Sequence, residues 1–395
     1  MSCLKNPLQV FGTIVVVFFI AGCGAPAAAP TLTPTITLIP SPQTPLPPPT
    51  PKPTPESTGQ PTLFKFIGTA PVTPDDNFLT GSFARVNYVP ATEYMVVTFG
   101  TWLGQPSEGC IGKAHAYREY TLDMEATGKS GILNCEVADI GSVMVDNTYY
   151  FVGMHAESGS IGWRIIKYDA ATWKSLADIF FPLQTPQEGD GDPMVAFVNG
   201  QLDVSSGYTE AGGPPAPGEG AGTHHQFFSP DLEFQEERIL EDTPHIGGSS
   251  MIYVDGVYYF ITSTSYTGDV IVMKYDKDWN YIGKQDLIRR AHFSTGVAYD
   301  GNRFYLAYTD TSQRTEPGFF PVYLNIHLAV FDRDWNLVED LAVTNFTPAE
   351  NRSPGRPGVI LHGNRLYVSY DLDSTVTLHD EIQSQAIVSV YELTQ

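Results

Sequence analysis

The chain has 395 residues, of which 42% are hydrophobic, 12% aromatic and 17% charged, and its formal net charge is -22. So acidic a body is repelled by nucleic acid and by anionic lipid surfaces, which excludes polyanion binding and favours cations, neutral ligands or proteins as partners. Its 31 prolines and 4 cysteines are unevenly placed, and they divide the chain.

Lys5 opens a short positive region, Val10 to Ala21 is nearly all apolar, and Ile20-Ala21-Gly22-Cys23 follows. The apolar run is shorter than the roughly 20 residues an ordinary spanning helix needs. The segment resembles a bacterial lipoprotein signal with its lipobox. That resemblance implies that residues 1–22 are removed and that Cys23 carries the lipid, a palmitate-type acylation. It also implies a protein of the cell envelope, held to the membrane through the lipid anchor alone and exposed outside the cytoplasm.

Residues 23–61 read as a linker. Between Ala25 and Thr62 there are 13 prolines interleaved with Thr, Ser and Ala, with almost no charge. Such a stretch has little to bury and few ladder donors, so extended polyproline II is expected, with a reach on the order of 100 Å.

Residues 62–395 form one domain, and between Phe83 and Tyr391 one pattern returns six times: an apolar run, a turn, an aromatic-rich run, a gap and a third apolar run. The turn and second run read PATEYMVV from Pro90, DNTYYFV from Asp146, NGQLDVS from Asn199, DGVYYFI from Asp255, GNRFYLA from Gly301 and GNRLYVS from Gly363. Taking Tyr94, Tyr149, Leu202, Tyr258, Phe304 and Leu366 as equivalent gives steps of 55, 53, 56, 46 and 62 residues. That spacing suits four-stranded blades with variable loops and predicts an all-β, six-bladed β-propeller.

Three third strands end in YDAATW, YDKDWN and FDRDWN, placing Asp169, Asp276 and Asp332 three or four residues before Trp173, Trp279 and Trp335. The carboxylate is expected to accept turn amides while the ring covers the outer blade edge. These turns resemble the Asp-box of sialidase-type propellers. Repeat six stops after Ala386 to Leu393, whereas Thr62 to Thr69 is an orphan run ahead of blade one. A ring must join its ends to remove exposed edges, so this run is expected to complete blade six. Cys110 precedes the third strand of blade one and Cys135 follows its fourth, a placement that predicts a disulfide in an oxidising compartment.

Laying the repeats on one another puts Ala84, Asp139, Asp192, Gly248, Ser294 and Arg356 at one position of the innermost strands, with Arg85, Ser249 and Thr295 beside it. Asp139 and Asp192 would stand on neighbouring strands at the channel entrance, where paired carboxylates suit acid and base work on a glycosidic bond. Asp192-Pro193, an apolar strand and the Asn199-Gly200 turn resemble the strand opening of arabinanase and xylosidase-like glycosidases. In that family an innermost Asp is the base and a Glu-Gly-Pro turn supplies the acid; here Ile246-Gly247-Gly248 stands where the turn would be. A sialidase-like reading draws instead on Arg85 and Arg356 to clamp a carboxylate.

Glu188, Asp190 and Asp192 alternate as carboxylates in the manner of a Ca²⁺ site, without a full calcium-loop pattern. His224-His225 must point to opposite faces of a strand. Loops at Ala211 to Gly222 and Asp310 to Pro321 are candidate flaps. Together these features predict a monomeric, surface-anchored module that binds an extracellular glycan or cell-surface protein, with a glycoside hydrolase using Asp139 and Asp192 as the alternative.

Overall fold

Period-two alternation and β-branched and aromatic enrichment give strands throughout the computed structural model. It describes residues 63–394 apart from 76, 108, 136–139, 158–159, 184–187, 209–221, 241–248, 264–268, 290, 311–324, 351 and 374–383. Cys23, the signal segment, the linker and most of both flap loops therefore lie outside the described residues.

The first strand is β1 (Phe64–Pro71), and blade one follows as β2 (Ser82–Val89), β3 (Tyr94–Trp102), β4 (Lys113–Tyr120) and β5 (Ala126–Asn134). Blade two holds β6 (Ile140–Val145), β7 (Thr148–Glu157), β8 (Ser160–Asp169) and β9 (Lys174–Pro182). Blade three holds β10 (Glu188–Val198), β11 (Gln201–Tyr208), β12 (Gly222–Phe228) and β13 (Phe234–Leu240). Blade four is β14 (Ser250–Val254), β15 (Val257–Ser263), β16 (Val270–Asp276) and β17 (Tyr281–Ile288). Blade five is β18 (Ala291–Tyr299), β19 (Phe304–Asp310), β20 (Asn325–Phe331) and β21 (Leu337–Ala342). Blade six is β22 (Ser353–His362), β23 (Arg365–Asp373) and β24 (Gln385–Leu393), with β1 as its outermost strand.

The expected closure is therefore present, through an antiparallel pairing that runs from Phe64 opposite Leu393 to Pro71 opposite Ile387. β1 thus runs from the face carrying the β24 end at Leu393 to the other face, where the innermost strands begin, at Pro71. Thr394 N–H donates to Leu63 O at 2.9 Å, so β1 and β24 meet where other blades have a covalent turn.

Hairpins between first and second strands use left-handed residues, with φ of 51° at Asp146, 50° at Asn199 and 52° at Asp255. Asn and Asp tolerate that region, and Gly200 and Gly256 continue it, which matches the twist of the flanking strands. In blades one to five the turn from third to fourth strand also has one left-handed residue: Met124, Trp173, Leu232, Trp279 and Trp335. Asp276 Oδ1 accepts the N–H groups of Asp278 and Asn280 at 2.9 and 2.8 Å, and Asp332 repeats the arrangement at Asp334 and Asn336.

The tryptophans differ from expectation. They wedge between blades instead of covering the outer edge. Trp173 stacks on Tyr117 of blade one at 4.3 Å, Trp279 touches Phe227 of blade three at 5.3 Å, and Trp335 touches Tyr259 of blade four at 5.6 Å. Each also packs on its own blade, Trp335 on Phe304 at 4.1 Å. The turn's left-handed residue points the ring inward, where burying so large an aromatic surface stabilises the seam.

The outermost strands have a register shift next to this turn, as between Lys274 and Tyr275 or Val330 and Phe331, and blade six has one at the corresponding place between Phe66 and Gly68. The bulge bends the exposed edge and discourages pairing with another chain. On blade one, Cys110 and Cys135 form the expected disulfide, with Cα atoms 5.2 Å apart.

Candidate functional site at the mouth of the channel

The innermost strands approach so closely that some positions admit only glycine. A Cβ on Gly141 would lie 2.5 Å from Pro193 O, and one on Gly296 would lie 2.8 Å from Cα of Gly358. Inside this ring is a channel of about 280 Å³. Toward the face where the innermost strands begin, its wall carries Arg85, Ser249, Ser250, Thr295 and Arg356 beside Phe83, Ile140 and Met194; Ser142, Met251 and Val297 share the next level, and toward the turn face it carries Asn87, Met144, Phe197 and Ile360. The mouth thus combines hydroxyl and guanidinium groups with apolar side chains, and the floor is mostly apolar. Ser250 Oγ and Thr295 Oγ1 are 2.9 Å apart across blades four and five, and Ser249 Oγ donates to Thr262 Oγ1 at 2.9 Å.

Pairing fixes which residues are equivalent. Met95 faces Tyr120 as Tyr149 faces Tyr168 and Leu366 faces Tyr391, so Met95 replaces Tyr94 in the repeat. Met95 is fully buried while Tyr94 is 38% exposed. Blade one's turn, Pro90 to Glu93, is also longer than the two-residue turn of blade two, where Val145 pairs with Thr148. Phe83, not Ala84, is therefore the counterpart of Arg356, and both are left-handed, at φ of 53° and 50°.

Asp139 lies outside the described residues. Asp192 and Ser294 fall within β10 and β18, but their side chains lie outside what is described, as do those of Glu188 and Asp190. Among the described residues no group of three or more His, Cys, Asp or Glu side chains could hold a metal ion. The carboxylate pair and the Ca²⁺ expectation remain as sequence readings.

Arg85 and Arg356 do come together. Arg85 Nη1 donates to Ala84 O and to Arg356 O, both at 2.9 Å, and Arg356 Cζ lies 4.1 Å over the Phe83 ring. A carboxylate that the sequence reading missed organises them. Asp371, fully buried on β23, accepts the Phe83 N–H at 2.8 Å, the Ala84 N–H at 3.0 Å and Arg356 Nη1 at 3.2 Å. Burial pushes its carboxyl up, against the opposing pull of the Arg356 charge and the two amides. In sequence Asp371 is one polar residue near a strand end, and no local motif marks it.

Two further buried polar groups lie off the channel. His115 Nε2 is 2.8 Å from Tyr149 OH, and burial holds the imidazole down at about 3, so it is neutral. A small side cavity lined by Phe83, Arg85, His115 and Ser142 adjoins it. In blade three His225 Nδ1 is 2.9 Å from Asp203 Oδ2, both fully buried, while His224 turns to the other face toward Glu237. The predicted opposition of the two histidines is present.

No known family model and no curated protein matches this chain. Solved structures do. A neuraminidase-like protein from A/bat/Guatemala/164/2009 is 9% identical, with a TM-score of 0.51 over 84% of this chain and 95% of that one. A Trypanosoma rangeli sialidase is 12% identical, with a TM-score of 0.50 over 79% of this chain and 53% of its own. The GH43 endo-arabinanase of Bacillus licheniformis, 13% identical over 64% of this chain and 93% of that one, reaches a TM-score of only 0.40. Sialidase-like propellers, one of the two groups that the sequence resembles, are thus among its structural neighbours. At such identities the likeness establishes the fold alone: an all-β propeller of six four-stranded antiparallel blades.

Proposed function

We propose that the propeller binds an extracellular glycan or protein at the channel mouth without transforming it. The lipid on Cys23 and the proline-rich stalk of residues 23–61 would display it on the cell envelope. The observation that carries this reading is the channel itself. Its roughly 280 Å³ lies near the lower end of ligand pockets, a size suited to one sugar residue or one side chain. Hydroxyls and guanidinium groups at the mouth match a polar rim on the ligand, and the methionines and Phe197 below match an apolar face.

Blocking the channel tests this. Ser249→Trp should reduce retention of a captured polysaccharide or cell-surface protein at least tenfold without lowering the melting temperature by more than a few degrees. Unchanged retention by a folded Ser249→Trp variant contradicts binding at the mouth. Turnover of the captured glycan would favour the hydrolase reading with Asp139 and Asp192.

A further inference from the structure

The innermost strands of blades one and six each place a non-glycine residue in the left-handed region, at Phe83 and Arg356. Such a conformation is sparsely populated and persists only where neighbouring structure over-determines it. Both residues are held by the same side chain. Asp371 Oδ2 accepts the Phe83 N–H and Arg356 Nη1, while Oδ1 accepts the Ala84 N–H.

The consequences reach the mouth from both sides. With Phe83 fixed, its ring supports the Arg356 guanidinium at 4.1 Å. On the other side Asp371 grips the Arg356 guanidinium directly, and the Arg356 carbonyl accepts from Arg85 Nη1 at 2.9 Å. Ser369, two residues before Asp371 on β23, donates its hydroxyl to Ala84 O at 3.0 Å and completes the junction. Asp371 itself is buried and does not line the channel, whereas Phe83, Arg85 and Arg356 do. A pair of carboxylate oxygens supplies only acceptors, as three converging donors require. Asparagine has the same shape but replaces one oxygen by a donor.

We infer that Asp371 is the positioning residue of the channel mouth, holding the left-handed bulges of blades one and six and thereby the placement of Arg356 and Arg85 that ligand recognition uses. Its role in recognition rests on the reading of the mouth as the ligand site.

The test compares the full chain with Asp371→Asn by two ligand-free measurements. Amide hydrogen exchange at Phe83 and Ala84 should accelerate at least tenfold. Modification of Arg356 by phenylglyoxal, followed by mass spectrometry, should accelerate at least threefold, while Arg365, paired with Asp123 on the opposite face, stays unchanged. Exchange and modification within twofold of the native chain would overturn the inference. If Asp371→Asn does not fold, Phe83→Leu decides: it should free Arg356 yet retain protection of the amides at 83 and 84. Lost protection there would assign the bulge to the ring and overturn the role of Asp371.

Arabinan, xylan and sialyllactose serve as binding probes. Asp371→Asn should weaken at least tenfold whichever of them the native chain retains, and unchanged retention overturns the link to recognition. A native chain that retains none of the three contradicts the binding reading for these probes, and the exchange result then decides on Asp371 alone.

Discussion

Phe66 of β1 lies opposite Tyr391 of β24, with ring centroids 5.5 Å apart. Tyr391 is 1% exposed and also meets Phe64 edge-on at 6.1 Å. The first described strand is thus both the missing edge of the last blade and part of its core. This is how a ring assembled from sequential hairpins escapes a permanently open edge.

Removing that strand should open the ring. Deleting residues 62–69 is expected to lower the melting temperature and cause concentration-dependent association by gel filtration, as β24 becomes an exposed edge. Tyr391→Ala alone should cost roughly 3–5 kcal/mol, as large-to-small core changes of an aromatic do. A deletion variant that melts like the parent and elutes as one species contradicts the pairing.

The disulfide joins residues separated by 25 positions and staples the mouth-side loop of blade one. A loop of that length is worth about 3.5 kcal/mol in the chain-entropy account. Reduction, or Cys110→Ala with Cys135→Ala, should therefore lower stability by about that amount in denaturant titration. A double variant as stable as the parent would mean that the bridge does not constrain the unfolded chain.

His115 makes stability depend on acid. Its folded value, about 3, is depressed from 6.5 by burial. Its contribution is therefore fully present above about 6.5 and is lost as pH falls toward 3, because the unfolded chain binds the proton that the folded chain resists. The melting temperature of the native chain should fall more steeply between pH 6.5 and 4 than that of His115→Gln. Parallel profiles would show that His115 takes up its proton without unfolding.

The ring was legible because each blade repeats local chemistry: left-handed turn residues at Asp146, Asn199 and Asp255, and apolar alternation on either side. Closure followed from counting, since blade six lacked a fourth strand that the run ahead of blade one could supply. The disulfide followed from the same register. The position of blade one was off by one because Tyr94 resembles the aromatic counterparts in other repeats, whereas burial selects Met95. The role of the tryptophans was half legible: the turn was visible, but not the seam into which each ring inserts. Asp371 could not be seen at all. Its three donors come from two innermost strands, two of them nearly 290 residues away in sequence, and only the closed ring brings them together.

The central claim, a propeller that binds without catalysis, is tested most directly by incubating the purified chain with arabinan, xylan and sialyllactose and following both retention and product release. The same assay is applied to Asp139→Asn and Asp192→Asn. The account predicts retention of a ligand, no released sugar, and no loss of any activity in either variant. Sugar release by the native chain that vanishes in both variants while binding persists would contradict it and make the protein a glycoside hydrolase.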